Sequence, residues 1–192
     1  MAQNAANIHI GPARIFLGVT PPATGTPPTV VPHVDGVPTS GTEVGHTEGD
    51  SVFNYNISYD ELRSEQTFGI ITHFPTDEMC ELKFTAMERV LEMMRMALGN
   101  IGESITGAHT LFYGGNHPNI INIRTTGVVL TARLRHDPTK FEVLMIYKAA
   151  SIEGSTFQYS RTKASTMAIT LSGITDTTRV AGDTMFQLKR EI

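Results

Sequence analysis

The chain has 192 residues, of which 40% are hydrophobic and 18% charged, with a formal net charge of −4 and one cysteine, Cys80. This length and apolar content suit one domain with a packed core. A lone cysteine excludes an intrachain disulfide and a cysteine-based zinc site. No apolar run is long enough to span a bilayer, so we expect no membrane partner. The N-terminal sequence lacks the pattern of a secretory signal, which predicts folding in a reducing cytoplasm.

Charge is unevenly distributed along the chain. Residues 1–123 contain 13 acidic residues and 5 Lys or Arg, a balance of −8, whereas residues 124–192 contain 6 acidic residues and 10 Lys or Arg, a balance of +4. A protein that binds the nucleic-acid backbone usually has a net basic domain or a basic stripe, and this chain has neither. This uneven distribution of charge is either an ordinary random arrangement of surface charges or an indication of two oppositely charged surfaces that meet within the molecule or between copies.

A long proline-rich segment follows the first strand-like stretch, residues 8–19. Residues 20–42 read TPPATGTPPTVVPHVDGVPTSGT, with six prolines, six threonines and three glycines. Proline excludes a helix here and disfavours a central strand. We therefore expect a long extended arm or loop that is either a passive insertion or a contact between subunits. The small and β-branched residues that would make such a contact are Thr29, Val30, Val31 and Val34.

A strand with one polar face follows the arm. Phe53, Tyr55, Ile57 and Tyr59 alternate with polar residues, which predicts a half-buried strand with a solvated face. The residues predicted on the solvated face are Asn54, Asn56, Ser58 and Asp60. The more polar stretch that follows, residues 61–66, predicts a second strand of a hairpin.

One amphipathic helix is predicted over residues 85–98. Thr85 and Glu88 have the spacing of a capping box, and Gly99 is a typical residue for the end of a helix. Met93 and Met96 fall outside the apolar stripe of this helix. The stripe, which should pack against the protein, consists of Met87, Val90, Leu91, Met94 and Leu98.

Strand patterns resume in the last third of the chain. Apolar runs flank Asp137–Pro138, which predicts a hairpin because proline sets the backbone angle that a turn needs. Residues 99–126 are rich in Gly and Asn and give no clear pattern. We therefore expect one domain over residues 1–192 of the α+β class, mainly antiparallel, with about eight to ten strands and one flanking helix.

The sequence lacks a recognisable catalytic site. The segment FYGGN has neither the Lys of a P-loop nor the spacing of a dinucleotide fingerprint. The seven histidines never have the i, i+2 or i, i+4 spacing typical of metal ligands. Adjacent acids such as Asp60–Glu61 would point to opposite faces of a strand and could not act as a pair. We expect no enzymatic activity, no cofactor and no metal.

The order of these elements resembles the major tail tube proteins of long-tailed bacteriophages over about residues 43–190. A Thr-Glu-Gly lead before the hairpin matches Thr47-Glu48-Gly49, and the helix ends in Leu98-Gly99. A late hairpin ends in Lys148-Ala149, and a closing turn contains Thr175-Asp176. The arm at residues 20–42 has no counterpart in this pattern.

The resemblance implies a β-sandwich or half-barrel whose copies form homohexameric rings, stacked as a tube through which DNA passes without specific binding. The protein would belong to the virion tail, assemble in the host cytoplasm and contact other tail proteins. A polar or acidic lining lets phosphates pass, whereas Lys and Arg would hold them. The residues expected to face such a lumen are Asn54, Asn56, Ser58, Asp60 and Glu65.

Two other kinds of protein remain open. One is a ligand-binding β-module that uses the loop at residues 20–42 for recognition. The other is a different tail protein, such as a tail terminator or the tube protein of a contractile apparatus.

Overall fold

The structure is a computed structural model that describes residues 13–26, 30–31, 36–63, 70–98, 102–106, 109–113, 125–134, 137 and 139–190. Within these ranges lie thirteen strands and one helix: β1 Arg14–Leu17, β2 Val30–Val31, β3 Val37–Pro38, β4 Thr42–Glu43, β5 Val52–Arg63, β6 Ile70–Ala86, α1 Leu91–Ala97, β7 Gly102–Thr106, β8 His109–Tyr113, β9 Thr126–Arg133, β10 Phe141–Ala150, β11 Ser155–Gln158, β12 Thr166–Gly173 and β13 Phe186–Arg190.

Nine strands form one antiparallel sheet that folds over into two packed layers. The first layer contains β4, β1, β9, β10 and β13, and the second contains β11, β12, β6 and β5. The layers join where the end of β10 pairs with the end of β12. Successive side chains of a strand point to opposite faces, so each layer contributes one face to a common core. Ile15 and Leu17 pack there against Leu82, Phe84 and Ile169.

The outer face of the first layer is also buried. Phe16, Phe141 and Tyr147 lie on this face and form a second apolar cluster, against which Val37 of the arm packs. Gly36 has a φ of +71°, and a Cβ at this position would lie 2.7 Å from the Phe141 ring. A glycine is therefore needed for the arm to approach the sheet this closely. The outer face of the second layer has no such cover among the described residues.

The helix differs from the one predicted at residues 85–98. It spans only Leu91–Ala97, because Thr85 and Ala86 continue β6 and pair with β12. Val90 is the N-cap and has no side-chain cap hydrogen bond. The prediction that Thr85 and Glu88 form a capping box was therefore wrong, since strand pairing outweighs a local signal for helix initiation.

The predicted packing face of the helix was correct only in part, since Val90 packs against the common core as expected but other residues of the stripe do not. Met93 and Met96, which fell outside the predicted stripe, are almost fully buried in the common core. Met87 and Leu91 are exposed instead, each to 39%. The later start of the helix and the position of the sheet beneath it decide which side faces inward. The other members of the predicted stripe, Val90, Met94 and Leu98, are of intermediate exposure.

The expected fold class is confirmed: the described part of the chain is mainly antiparallel sheet with one helix. In residues 99–126, for which no element was predicted, β7 and β8 pair with each other as a separate two-stranded sheet. Among the described residues, no helix has the length and apolar character needed to cross a bilayer.

Candidate functional site

The hairpin of β5 and β6 extends well beyond the core. The prediction of a second strand at residues 61–66 was wrong for the described residues, since residues 61–63 continue β5 and the second strand is β6. In β6 every residue from Ile70 to Met79 is exposed, whereas from Cys80 onward all residues are buried except Lys83 and Thr85, which are of intermediate exposure. At about 3.3 Å per residue, this exposed part is roughly 30 Å long. The last aromatic contact with the body is made by Tyr55, whose ring centroid lies 4.9 Å from that of Phe186 on β13.

Large apolar side chains are exposed along this hairpin to an unusual degree. They lie on both faces of the hairpin, since Met79 and Phe74 are the register partners of Asn56 and Asp60. Apolar area exposed to this extent is typical of surfaces that become covered by a partner. β5 is also the edge of the sheet over its full 12 residues, and a long free edge readily pairs with another chain. The large apolar residues exposed to between 42% and 56% are Val52, Tyr55, Tyr59, Leu62, Ile70, Ile71, Phe74 and Met79.

The predicted polar residues of β5 share one face of the hairpin. Asn54, Asn56, Ser58 and Asp60 alternate with residues such as Phe53, which packs against the core. They therefore lie on the outer face of the second layer, which we call the open face. Glu65, predicted with them, lies outside the described residues.

Residues of β6 add negative charge to the open face. Glu81 is the register partner of Asn54, and Asp77 is the partner of Ser58. Lys83 also lies on this face, and its Nζ is 3.1 Å from Glu81. This hydrogen bond to Glu81 is the main cause of the raised pKa of Lys83. The described hairpin residues of the open face therefore have a net negative charge.

The hairpin's arginine lies on the opposite face. Arg63 is separated from Tyr59 and Glu61 by even numbers of residues along β5, so it points away from the open face. Its guanidinium donates to the Glu61 carboxylate at 2.5 Å. The positive charge of Arg63 is thus both neutralised and directed away from the acidic surface.

An open groove of about 600 Å³ crosses the open face between β6, β12 and β11. Lys83, Thr85, Ala168 and Thr170 line its floor, and Thr156 lies at its side. Most of these side chains are small and polar. The groove lacks the enclosed apolar walls that are typical of small-molecule sites.

A second cavity, of about 440 Å³, lies near the end of β1 and is lined by two ion pairs. Arg14 contacts both carboxylate oxygens of Glu43 at 2.6 Å, and this contact lowers the pKa of Glu43. His46 Nδ1 lies 2.6 Å from Glu88 Oε1, and this hydrogen bond lowers the pKa of Glu88. Each carboxylate already has a partner, and no group of three metal-ligating side chains occurs among the described residues.

The described parts of the arm pack on their own subunit. Arg179 donates from Nη1 to the Pro22 carbonyl at 2.7 Å, and the Gly25 N–H donates to Asp183 at 3.1 Å. The Arg179 guanidinium also stacks 3.7 Å from the Tyr147 ring centroid. Tyr147 donates its hydroxyl to Asp183, and burial followed by this hydrogen bond raises the pKa of Tyr147 to about 12.

The arm residues predicted to touch a neighbouring subunit are only partly described. Val30 and Val31 form β2, which pairs with β3 in a short hairpin. Thr29 and Val34 lie outside the described residues. Contact between this arm and another subunit therefore stays a prediction.

Some residues of the site could not be identified from the sequence. Asp77 and Glu81 reach the open face only because of the register between β5 and β6, which shifts at Thr76. The alternating pattern of β5 predicts which of its own residues share a face. The register between β5 and β6 cannot be derived from the pattern of one strand alone. The adjacent acids Asp77 and Glu78 were a usable signal, since alternation places one of them on each face.

Comparison with known proteins does not assign this chain to a family. The chain matches no protein-family model, and no curated protein matches it significantly.

Proposed function

We propose that this chain is a structural protein that assembles into hexameric rings stacked as the tail tube of a long-tailed bacteriophage. The observation that carries the proposal is the β5–β6 hairpin, which extends past the core with exposed apolar side chains beside an edge strand with which no described strand other than β6 pairs. Burial of such a surface between copies would remove apolar area from water and satisfy the strand edge. The six-fold number comes from the family resemblance.

The open face supports the role of a conduit for DNA. Along the described hairpin its one cation, Lys83, is paired with Glu81, so a lumen lined by the amide and hydroxyl groups of Asn54, Asn56 and Ser58 would let DNA pass. The same face is the uncovered side of the second layer. The protein would then act in the virion tail without enzymatic activity or cofactor, after assembling in the host cytoplasm alongside other tail proteins.

The ligand-binding alternative has less support. The described parts of the loop at residues 20–42 lie against the first layer, whereas the larger groove crosses the open face of the second layer. The loop and the groove are therefore on opposite sides of the sandwich. A tail terminator and a contractile-apparatus tube protein share the expected ring architecture and are alternatives within the same structural class.

Sedimentation velocity and negative-stain microscopy test the proposal. Wild-type protein should form rings or tubes as its concentration rises. Replacing Tyr59 and Ile71 with Ser should abolish assembly while leaving the thermal unfolding of the monomer unchanged, because both side chains are exposed. Ile152→Ser is the matched control, since this exposed side chain lies outside the hairpin. A wild-type protein that remains monomeric at every concentration contradicts the proposal.

A further inference from the structure

The two ends of the second layer carry opposite charges. β6 runs from Ile70 at the end of the hairpin to Ala86, and β12 begins beside Ala86. The hairpin tip, which we define as residues 59–63 and 70–77, and the β11–β12 turn, residues 159–165, therefore lie at opposite ends of the layer. From Asp77 to Ala86 the distance along β6 is about 30 Å.

The hairpin tip is acidic. Asp60 and Asp77 are exposed there, and neither has an ion-pair partner among the described residues. Glu61 and Arg63 neutralise each other. The tip therefore presents two carboxylates together with the exposed apolar side chains already described.

The β11–β12 turn is basic and ordered. Arg161 and Lys163 are exposed and have no ion-pair partner in the part of the chain that the structure describes. The Ser160 hydroxyl accepts the N–H groups of Thr162 at 3.3 Å and Lys163 at 3.1 Å. Such local hydrogen bonds fix the turn before any contact forms, which reduces the conformational entropy lost on docking.

Exposed apolar side chains surround the β11–β12 turn, as they do the hairpin tip. Tyr159 is 76% exposed, and the Arg89 guanidinium lies 4.4 Å from its ring centroid. Met87 and Leu91, which follow β6 at this end, are also exposed. Glu48 lies nearby, since its N–H donates to the Thr85 carbonyl, but the two cations leave this end net positive. Both ends thus combine exposed apolar side chains with unpaired charge of opposite sign.

We propose that a copy in one ring docks its hairpin tip on the β11–β12 turn of a copy in the next ring, with Asp60 and Asp77 facing Arg161 and Lys163. The inference rests on the proposed function, because it names the contact that stacks the rings. A contact between two different surfaces at opposite ends of the same subunit does not close on itself. Its repetition produces a linear filament, and complementary charges fix its direction.

Charge reversal tests the contact. Asp60→Lys with Asp77→Lys, and separately Arg161→Glu with Lys163→Glu, should reduce the fraction of protein in tubes by about tenfold or more while rings persist, since like charges then meet across the interface. The variant carrying all four changes should regain tubes. Glu153→Lys is the control, because this exposed acid lies at neither end. Tubes that persist in both double variants, or a fourfold variant that stays as rings, would overturn the proposal.

Disulfide cross-linking gives a measurement that does not depend on reversing charge. Asp77→Cys combined with Lys163→Cys should yield a ladder of covalent oligomers in oxidised tubes. The native Cys80 is fully buried and should not react. Glu153→Cys with Lys163→Cys should give no ladder. Tubes without a ladder for the first pair would refute this contact and leave the tube function standing, whereas a wild type that forms neither rings nor tubes would refute both.

Discussion

The ring of Phe186 lies edge-on to that of Tyr55, with centroids 4.9 Å apart and an interplanar angle of 64°. Phe186 also contacts Phe53 in the same manner at 5.3 Å. Edge-to-face contacts of this kind stabilise aromatic pairs beyond their buried area. They fix the base of the β5–β6 hairpin to β13, and beyond Tyr55 the hairpin exposes apolar side chains that the described residues of its own chain do not cover.

Met96→Ala should destabilise the protein by about 2–5 kcal/mol, because it removes a side chain from the packed core and leaves a cavity. Leu91→Ala in the same helix should cost about 1 kcal/mol or less, since that side chain is 39% exposed. Chemical denaturation of the two variants measures the difference. Equal losses would mean that the helix packs through a different face.

Gly173→Ala should destabilise the protein by about 1–3 kcal/mol through overpacking. A Cβ at this position would overlap the Cys80 Sγ atom. Adding Cys80→Ala removes the sulfur, so the double variant should be more stable than Gly173→Ala alone. Thermal unfolding of the three variants completes the cycle, and purely additive losses would argue against a direct clash.

Asp176 should make stability depend on pH in the acidic range. Its side chain accepts hydrogen bonds from Lys148 at 2.8 Å and from Thr178. Lys148 is the main cause of a pKa lowered from 3.8 to about 2. A lowered carboxyl pKa in the folded state contributes stability above the unfolded pKa, and that contribution is lost as pH falls through the folded value.

Asp176→Asn should therefore be less stable than wild type at pH 7. The difference should shrink as pH falls from about 4 to about 2 and vanish below that. Denaturant unfolding at pH 7 and at pH 2 measures it. A double-mutant cycle with Lys148→Met should give a coupling energy at pH 7 that is much smaller at pH 2, where Asp176 is about half protonated in the folded state. A coupling that does not change with pH would show that the charge on Asp176 is not its source.

Cations placed on the open face should retain DNA. Asn54→Lys with Asn56→Lys should leave tubes intact but make DNA co-sediment with them at low salt, and the DNA should be released as salt rises. Asn54→Asp with Asn56→Asp is the matched control and should retain none. Tubes with the two lysines that bind no more DNA than wild type would remove the open face from the lumen.

Alternation along β5 was enough to predict its polar face, because one period-two pattern continues without interruption from Phe53 to Asp60. The helix was a different case. A capping signal at Thr85 and Glu88 is local, whereas Thr85 belongs to β6 through hydrogen bonds to β12, more than 80 residues away in sequence. Pairing at this sequence distance leaves no mark in the residues around Thr85.

The positions of the acidic residues on β6 could not be predicted from the sequence for a similar reason. Asp77 and Glu81 are the register partners of Ser58 and Asn54, so their face is known only from the pairing of β6 with β5, which shifts at Thr76, beyond Asp77. The arm required tertiary information as well. Its composition predicted an extended segment, but only the fold reveals that Arg179 holds Pro22 on the first layer.

Cryo-electron microscopy of assembled wild-type protein tests the central claim most directly. The account predicts stacked rings in which the open face, marked by Asn54 and Asn56, surrounds a central channel and the β5–β6 hairpin is buried between copies. Monomers alone, or rings whose open face points outward while the hairpin remains in solvent, would contradict it.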